Sequence, residues 1–230
     1  MDAVAILKER FALKDVTPEK YRTMGSLMMR FHLEQYQVEG LGNLCVLKTR
    51  AMLGLMNLTT VVMTPSSGKN VPFLLIDTMD MGKKHLCYVE YYDCTVQGAD
   101  KDILLAARAP YGNVPDYAEK PAWYVQERME GSLIKTGDRA KLDRMATDAL
   151  KVYARQAAAA PVKAENWEGL KAFQRRMIEE GNPSTAALTK TLGKEVPLRG
   201  SSGSGWCPHQ DYPVTTVTWK QFKRHFHCRA

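Results

Sequence analysis

The segment Asn70–Met79, NVPFLLIDTM, is the most apolar strand-like run of this chain, and it follows a second such run, Leu58–Pro65, LTTVVMTP. An aspartate, Asp77, interrupts the first run. Side chains alternate across a strand, so Asp77 lies on the same side as Phe73 and Leu75, while other apolar side chains point the opposite way. A strand that is apolar on both sides belongs in the middle of a sheet that is covered on each face.

The position of Asp77 needs a physical reason, because an ionised carboxylate is costly to remove from water unless it is paired or its pKa rises. Two interpretations are open. In the first, the strand ends at Ile76 and Asp77 caps the turn that follows. In the second, the carboxyl group is held in a pocket, where it can exchange a proton with a ligand.

Around this segment, short runs broken by Gly, Pro and Asn predict strands at about 28–38, 43–50, 57–64, 72–80 and 84–93. The links between them are short and favour an antiparallel meander. The residues at about 131–136 predict a further edge strand.

Helical spacing of apolar residues predicts helices at about 2–13, from Thr17, at about 138–157 and 165–180, and a short one at about 183–192. Strands that are followed by helices indicate an α+β fold. We expect one central antiparallel sheet sandwiched between helices, in three α/β/α layers.

The composition limits the domain organisation and the compartment. The 230 residues are 45% hydrophobic, carry a formal charge of +7 and include five cysteines. We expect a single monomeric α+β domain over residues 1–199, followed by a linker and a basic aromatic tail over 200–230. The chain has neither a leader-like start nor a long apolar run, and its odd cysteine count suits a reducing compartment, so we expect no membrane contact and a cytoplasmic location.

The tail contains Cys207-Pro208-His209 and His225–Cys228, but their spacing matches no zinc module, so we expect no metal. Its basic and aromatic residues could contact nucleic acid or an acidic partner, although a solvated chain end is favoured. Neither a Gly-rich phosphate loop nor a Gly-x-Ser-x-Gly elbow is present, which argues against nucleotide-dependent chemistry and serine hydrolysis.

The segment Leu44–Asp77 resembles the ferredoxin-dependent bilin reductases, notably the phycocyanobilin-forming ones, which are related to red chlorophyll catabolite reductase. In that family a Met-Phe-Pro segment precedes a Pro-Leu-Phe-Gly-x-Asp strand that carries the central catalytic aspartate. Here Val62–Pro65, VMTP, and Pro72–Asp77, PFLLID, keep both prolines and the aspartate at the family's separation. Downstream, Pro121–Trp123 looks like the family's Pro-Pro-Trp, and residues 181–193 are similar to the loop and short helix that bear a second acidic residue.

The resemblance implies that a linear tetrapyrrole binds between the sheet and the helices. Electrons come singly from reduced ferredoxin, with no bound metal or flavin, and the positive charge suits docking to that acidic partner. Asp77 becomes the proton donor, because a carboxyl group with a raised pKa can hold a proton near neutral pH. The predicted substrate-binding residues are Asn182, Thr60, Lys48 and Phe73.

The chain departs from the phycocyanobilin-forming enzymes at three positions: Lys48 replaces a glutamate, Thr60 a histidine and Asn182 the second acid. Lysine and asparagine cannot protonate a substrate as a neutral carboxylic acid does. Lys48 could also pair with Asp77 across adjoining strands, lowering its pKa and blocking its role as an acid.

Two functions are therefore predicted. The first is an oxidoreductase of phycobilin biosynthesis that reduces a biliverdin-like open-chain tetrapyrrole with ferredoxin electrons, in the cytoplasm or, in a photosynthetic eukaryote, the plastid stroma. The alternative is a protein of the same fold that binds a tetrapyrrole or another anionic ligand without reducing it. A third class, unrelated to pigments, would use the basic tail to contact nucleic acid or an acidic partner.

Overall fold

The computed structural model describes residues 1–25, 27–65, 69–95, 101–161 and 168–180. The chain divides into two compact units, Met1–Leu170 and Lys171–Ala230. The predicted domain boundary at residue 199, the short helix at 183–192 and the tail lie outside the described residues, so these stay predictions.

The first unit is built on an antiparallel sheet. Its strands are, in chain order, β1 (Leu13–Asp15), β2 (Thr23–Gly25), β3 (Met29–Val38), β4 (Gly42–Ala51), β5 (Met56–Pro65), β6 (Phe73–Met81), β7 (Lys84–Tyr92) and β8 (Leu133–Thr136). Across the sheet the order is β1-β3-β4-β5-β6-β7-β8, and β2 also pairs with β3. The predicted meander is confirmed, since β3 to β7 follow one another through short turns and every pair is antiparallel.

The described helices are α1 (Ala3–Lys8), α2 (Glu19–Arg22), α3 (Asp102–Arg108), α4 (Trp123–Gln126), α5 (Arg139–Ala159) and α6 (Glu168–Glu179). Helix α5 begins after Asp138, whose carboxylate accepts a hydrogen bond from the Lys141 amide at 2.9 Å. Helix α1 is shorter than predicted, because the amides of Arg10 and Phe11 both donate hydrogen bonds to the Leu7 carbonyl and the helix ends there. None of the described helices is long and apolar enough to cross a membrane.

One face of the sheet packs against helices within this unit. Helix α5 lies on β6 and β7, and α1 and α3 pack against α5. The core between them contains Val61, Ile76 and Val89 from the strands together with Met145 and Tyr153 from α5. The Tyr153 hydroxyl donates a hydrogen bond to the Pro72 carbonyl at 2.9 Å, which ties α5 to the start of β6.

The opposite face of the sheet is also buried, as Phe31, Leu75 and Asp77 show. Strand β6 lies between β5 and β7 and is covered on both sides, as its two apolar faces predict. The α+β class with a central antiparallel sheet is confirmed. The interpretation in which the strand ends at Ile76 is wrong, because β6 continues to Met81.

Candidate functional site

Asp77 lies in the middle of β6, and its side chain is 0% exposed. In the sheet register it stands opposite Thr60 of β5 on one side and Tyr88 of β7 on the other. The Thr60 hydroxyl donates a hydrogen bond to Asp77 Oδ1 at 2.5 Å. The three side chains share one face of the sheet, because residues directly opposite in an antiparallel pair point the same way.

The predicted site residues divide between the two faces of the sheet. Thr60 and Phe73 lie on the face of Asp77, and the Phe73 ring makes an edge contact with Tyr92, with 6.2 Å between ring centroids. Lys48 pairs in register with Thr59, so its side chain is on the opposite face, where it is exposed. Asn182 lies outside the described residues.

The predicted pairing of Lys48 with Asp77 is therefore wrong. Successive side chains of a strand point to opposite faces of the sheet. Lys48 pairs with Thr59, the neighbour of Thr60, so its side chain points away from the face that carries Thr60 and Asp77. Lys48 therefore does not form an ion pair with Asp77 across the sheet.

A second buried carboxyl group, Glu90 of β7, lies on the same face and was not predicted. Glu90 pairs with Leu75, which makes it a diagonal neighbour of Asp77, and it is 0% exposed. Burial raises the pKa of Glu90 to about 7, and the charge of Asp77 adds to this rise. The positive charge of Arg128 and the hydroxyl of Tyr92 act in the opposite direction.

The hydrogen bonds of Glu90 go to one of its two oxygens. Oε1 accepts hydrogen bonds from the Arg128 guanidinium and, at 3.0 Å, from the Tyr92 hydroxyl. The guanidinium also binds both carboxylate oxygens of Glu119, at 2.6 and 3.2 Å. Oε2 of Glu90 is buried and has no hydrogen-bond partner in the described part of the chain.

Tyrosine hydroxyl groups surround the two acids. Burial raises the pKa of Tyr88, whose ring contacts that of Tyr117 edge-on at 6.1 Å between centroids. Burial also raises the pKa of Tyr124 in α4, and the charges of Glu90 and Glu119 add to the effect. These phenols stay protonated at neutral pH and can donate hydrogen bonds to a ligand.

The site can therefore hold protons on two carboxyl groups that are fully buried. Two buried carboxyl groups that interact with each other favour states in which at least one of them is protonated. Within the described residues, no group of three or more His, Cys, Asp or Glu side chains is arranged to bind a metal ion.

The fold and the site define a class: an α+β protein with a buried acid pair on one face of a central antiparallel sheet. No protein-family model matches this sequence, and no curated protein does. A solved structure with the same fold is phytochromobilin synthase from tomato in complex with biliverdin. The two chains are 12% identical with a TM-score of 0.66, and the match covers 82% of this chain and 74% of that chain.

Proposed function

We propose that this protein binds an open-chain tetrapyrrole of the biliverdin type over Asp77 and reduces it with single electrons from ferredoxin. Asp77 is the proton donor. The observation that carries the proposal is the burial of this carboxyl group in the middle of β6, because a solvated acid at a chain turn could not retain a proton near neutral pH. The bilin reductase motif around Asp77 and the fold shared with a biliverdin complex support the choice of ligand.

The proposed reaction consumes two electrons and two protons for each double bond that is reduced. After the first electron arrives, the pigment radical becomes basic enough to take the proton of a buried carboxylic acid. The hydrogen bond from Thr60 fixes the orientation of the Asp77 carboxyl group, and the aromatic pair Phe73 and Tyr92 offers an apolar surface for a flat pigment. The net charge of +7 favours encounter with an acidic electron donor.

In this function the protein acts as a monomer. It works in the compartment that supplies reduced ferredoxin, which is the cytoplasm or the plastid stroma. The electrons arrive from a separate protein, so the proposed mechanism does not call for a resident redox group.

An alternative is a protein of this fold that binds a tetrapyrrole or another anionic ligand without reducing it. Thr60 favours this alternative, because a hydroxyl group stands opposite Asp77 where the phycocyanobilin-forming enzymes have a histidine. When its ligand is a tetrapyrrole, this alternative, like the first function, requires that the pigment binds at the same face of the sheet.

Absorption spectroscopy separates the two functions. Adding biliverdin to the purified full-length protein should sharpen and red-shift the pigment's long-wavelength band under either function. Adding reduced ferredoxin without oxygen should then bleach or blue-shift this band only if the protein is a reductase. An unchanged spectrum on mixing would exclude the reductase and the binding of this tetrapyrrole, and would leave only another anionic ligand for the alternative.

The role of Asp77 is tested by Asp77→Asn, which keeps the size of the side chain but removes its acidic proton. We expect biliverdin to bind and turnover to fall by at least about 100-fold. Asp80→Asn is the matched control, because Asp80 lies in the same strand on the other face and pairs with His85 at 2.7 Å. Equal loss of turnover in both variants would remove Asp77 from the mechanism.

A further inference from the structure

We propose that Glu90 is the second proton donor of the Asp77 site. This inference rests on the proposed function. Two reduced one-electron iron–sulfur proteins supply two electrons and become oxidised, while Asp77 and Glu90 each release one proton. The tetrapyrrole gains two hydrogen atoms, and both carboxylates recover their protons from solvent between turnovers.

The position of Glu90 allows this role. Diagonal neighbours on one face of an antiparallel pair are about 7–8 Å apart, which a single planar pigment over the sheet can span. Asp77 and Glu90 point to the same side of β6 and β7, and both are fully buried. A ligand that covers one carboxyl group therefore approaches the other.

The surroundings of Glu90 allow it to carry a proton. Its Oε1 is engaged by Arg128 and Tyr92, whereas the buried Oε2 has no hydrogen-bond partner among the described residues and can bear the hydrogen. Burial, together with the charge that Asp77 carries once it has released its proton, raises the pKa of Glu90 to about 7, so the protonated and ionised forms are both populated near neutral pH.

The groups that face Glu90 come from several elements. Asp77 of β6 favours the protonated form, while Tyr92 of β7 and Arg128 favour the ionised one. Arg128 is shared with Glu119, which takes up part of its positive charge. The pKa of Glu90 therefore stays higher than it would be in an ion pair with an arginine that bound no other acid.

Glu90 also provides a second acidic group, which the site residues predicted from the sequence do not include. Asn182 stands where the bilin reductases carry their second acid, so a two-proton reduction needs another source for one proton. The competing explanation is structural: Glu90 would only anchor Arg128. Glu119 anchors the same guanidinium but lies farther toward solvent, which makes it the matched control.

The test uses single turnovers of the full-length protein with bound biliverdin and reduced ferredoxin between pH 5 and 9. Glu90→Gln keeps the side-chain shape and the acceptor oxygen but cannot release a proton. We expect this variant to bind biliverdin, to reduce it at least about 10-fold more slowly and to accumulate the one-electron pigment radical, seen by electron paramagnetic resonance. We expect the wild-type rate to fall above pH 7 as Glu90 ionises, and we expect this fall to be absent from Glu90→Gln.

The controls separate chemistry from folding. Glu119→Gln should keep the wild-type rate at low pH but lose rate at a lower pH than the wild type, because Arg128 then pairs with Glu90 alone. Glu90→Asp should restore part of the rate because it returns a titrating carboxyl group. Wild-type kinetics in Glu90→Gln, or the same loss in Glu119→Gln at every pH, would overturn this inference while leaving the proposed function intact. A wild-type protein that binds biliverdin but never reduces it would overturn both.

Discussion

The hydroxyl group of Thr60 stabilises the buried carboxyl group of Asp77, which accepts its hydrogen bond at 2.5 Å. Thr60→Val keeps the shape of the side chain and removes the donor, so one Asp77 oxygen loses a partner in a place that water does not reach. We expect the free energy of unfolding to fall by about 1–3 kcal/mol, measured by urea denaturation.

Thr59→Val is the control for this change. Thr59 is the preceding residue of β5 and points to the opposite face, in register with Thr78. Its replacement should alter the free energy of unfolding by no more than about 0.5 kcal/mol. Equal losses in the two variants would mean that the bond to Asp77 contributes nothing.

The raised pKa of Glu90 makes stability depend on pH. Between its ordinary value of 4.5 and about 7, the folded protein holds a proton on Glu90 that the unfolded chain has released. Since the folded state binds more protons, the free energy of unfolding falls as pH rises through this range, by roughly 3 kcal/mol at most. Urea unfolding at several pH values should show this slope in the wild type, and Glu90→Gln should lack it. Parallel curves for the two proteins would contradict the raised pKa.

Some residues of the site could be predicted from the sequence, and others were missed or misplaced. Asp77 could be found because an acid inside a long apolar run is conspicuous. Glu90 gives a similar signal, as an acid in the apolar run Leu86–Tyr92, but it was not predicted, and its partner Arg128 lies 38 positions away in a segment without regular periodicity. Lys48 was misplaced because the register of β4 against β5 depends on the geometry of their turn, and a shift of one residue exchanges the faces.

The turn between β4 and β5 is strained. Leu53 adopts a left-handed φ of 57° and is 68% exposed, whereas Leu55 has an ordinary φ of −69° and is 67% exposed. Asparagine tolerates the left-handed region better than leucine does. Leu53→Asn should therefore raise the free energy of unfolding by about 0.5–1 kcal/mol relative to Leu55→Asn, which removes a similar apolar surface. A gain of the same size in both variants would show that exposure, and not backbone strain, sets the effect.

The strands could be predicted more closely than the helices. Strands β3 to β7 begin and end within two residues of the apolar runs, because Gly, Pro and Asn bound each run. Helix α5 was visible from its apolar stripe and its capping residue, Asp138. Helices α3 and α4 are only seven and four residues long, too short to show a helical period, and they depend on packing rather than on their own sequence.

The two faces of the sheet differ in what they carry. One face packs against α5, on which α1 and α3 lie, and the other carries Asp77 and Glu90. Leu75 and Ile76 are neighbours in β6, both are buried, and they point to opposite faces. Truncating each of them in turn tests whether a side chain can contribute to folding without contributing to pigment binding.

Leu75→Ala and Ile76→Ala should each lower the free energy of unfolding by about 2–5 kcal/mol, because each leaves a cavity in a packed layer. Their effects on the pigment should differ. Leu75 lies between Phe73 and Asp77 on the proposed binding face, so its truncation should weaken biliverdin binding by about 10-fold, a loss of about 1.4 kcal/mol. Ile76 faces the helical core, and its truncation should leave the affinity of the folded protein unchanged. Urea unfolding and absorption titration on the same samples measure both quantities, and equal weakening of binding would mean that the pigment does not lie on the Asp77 face.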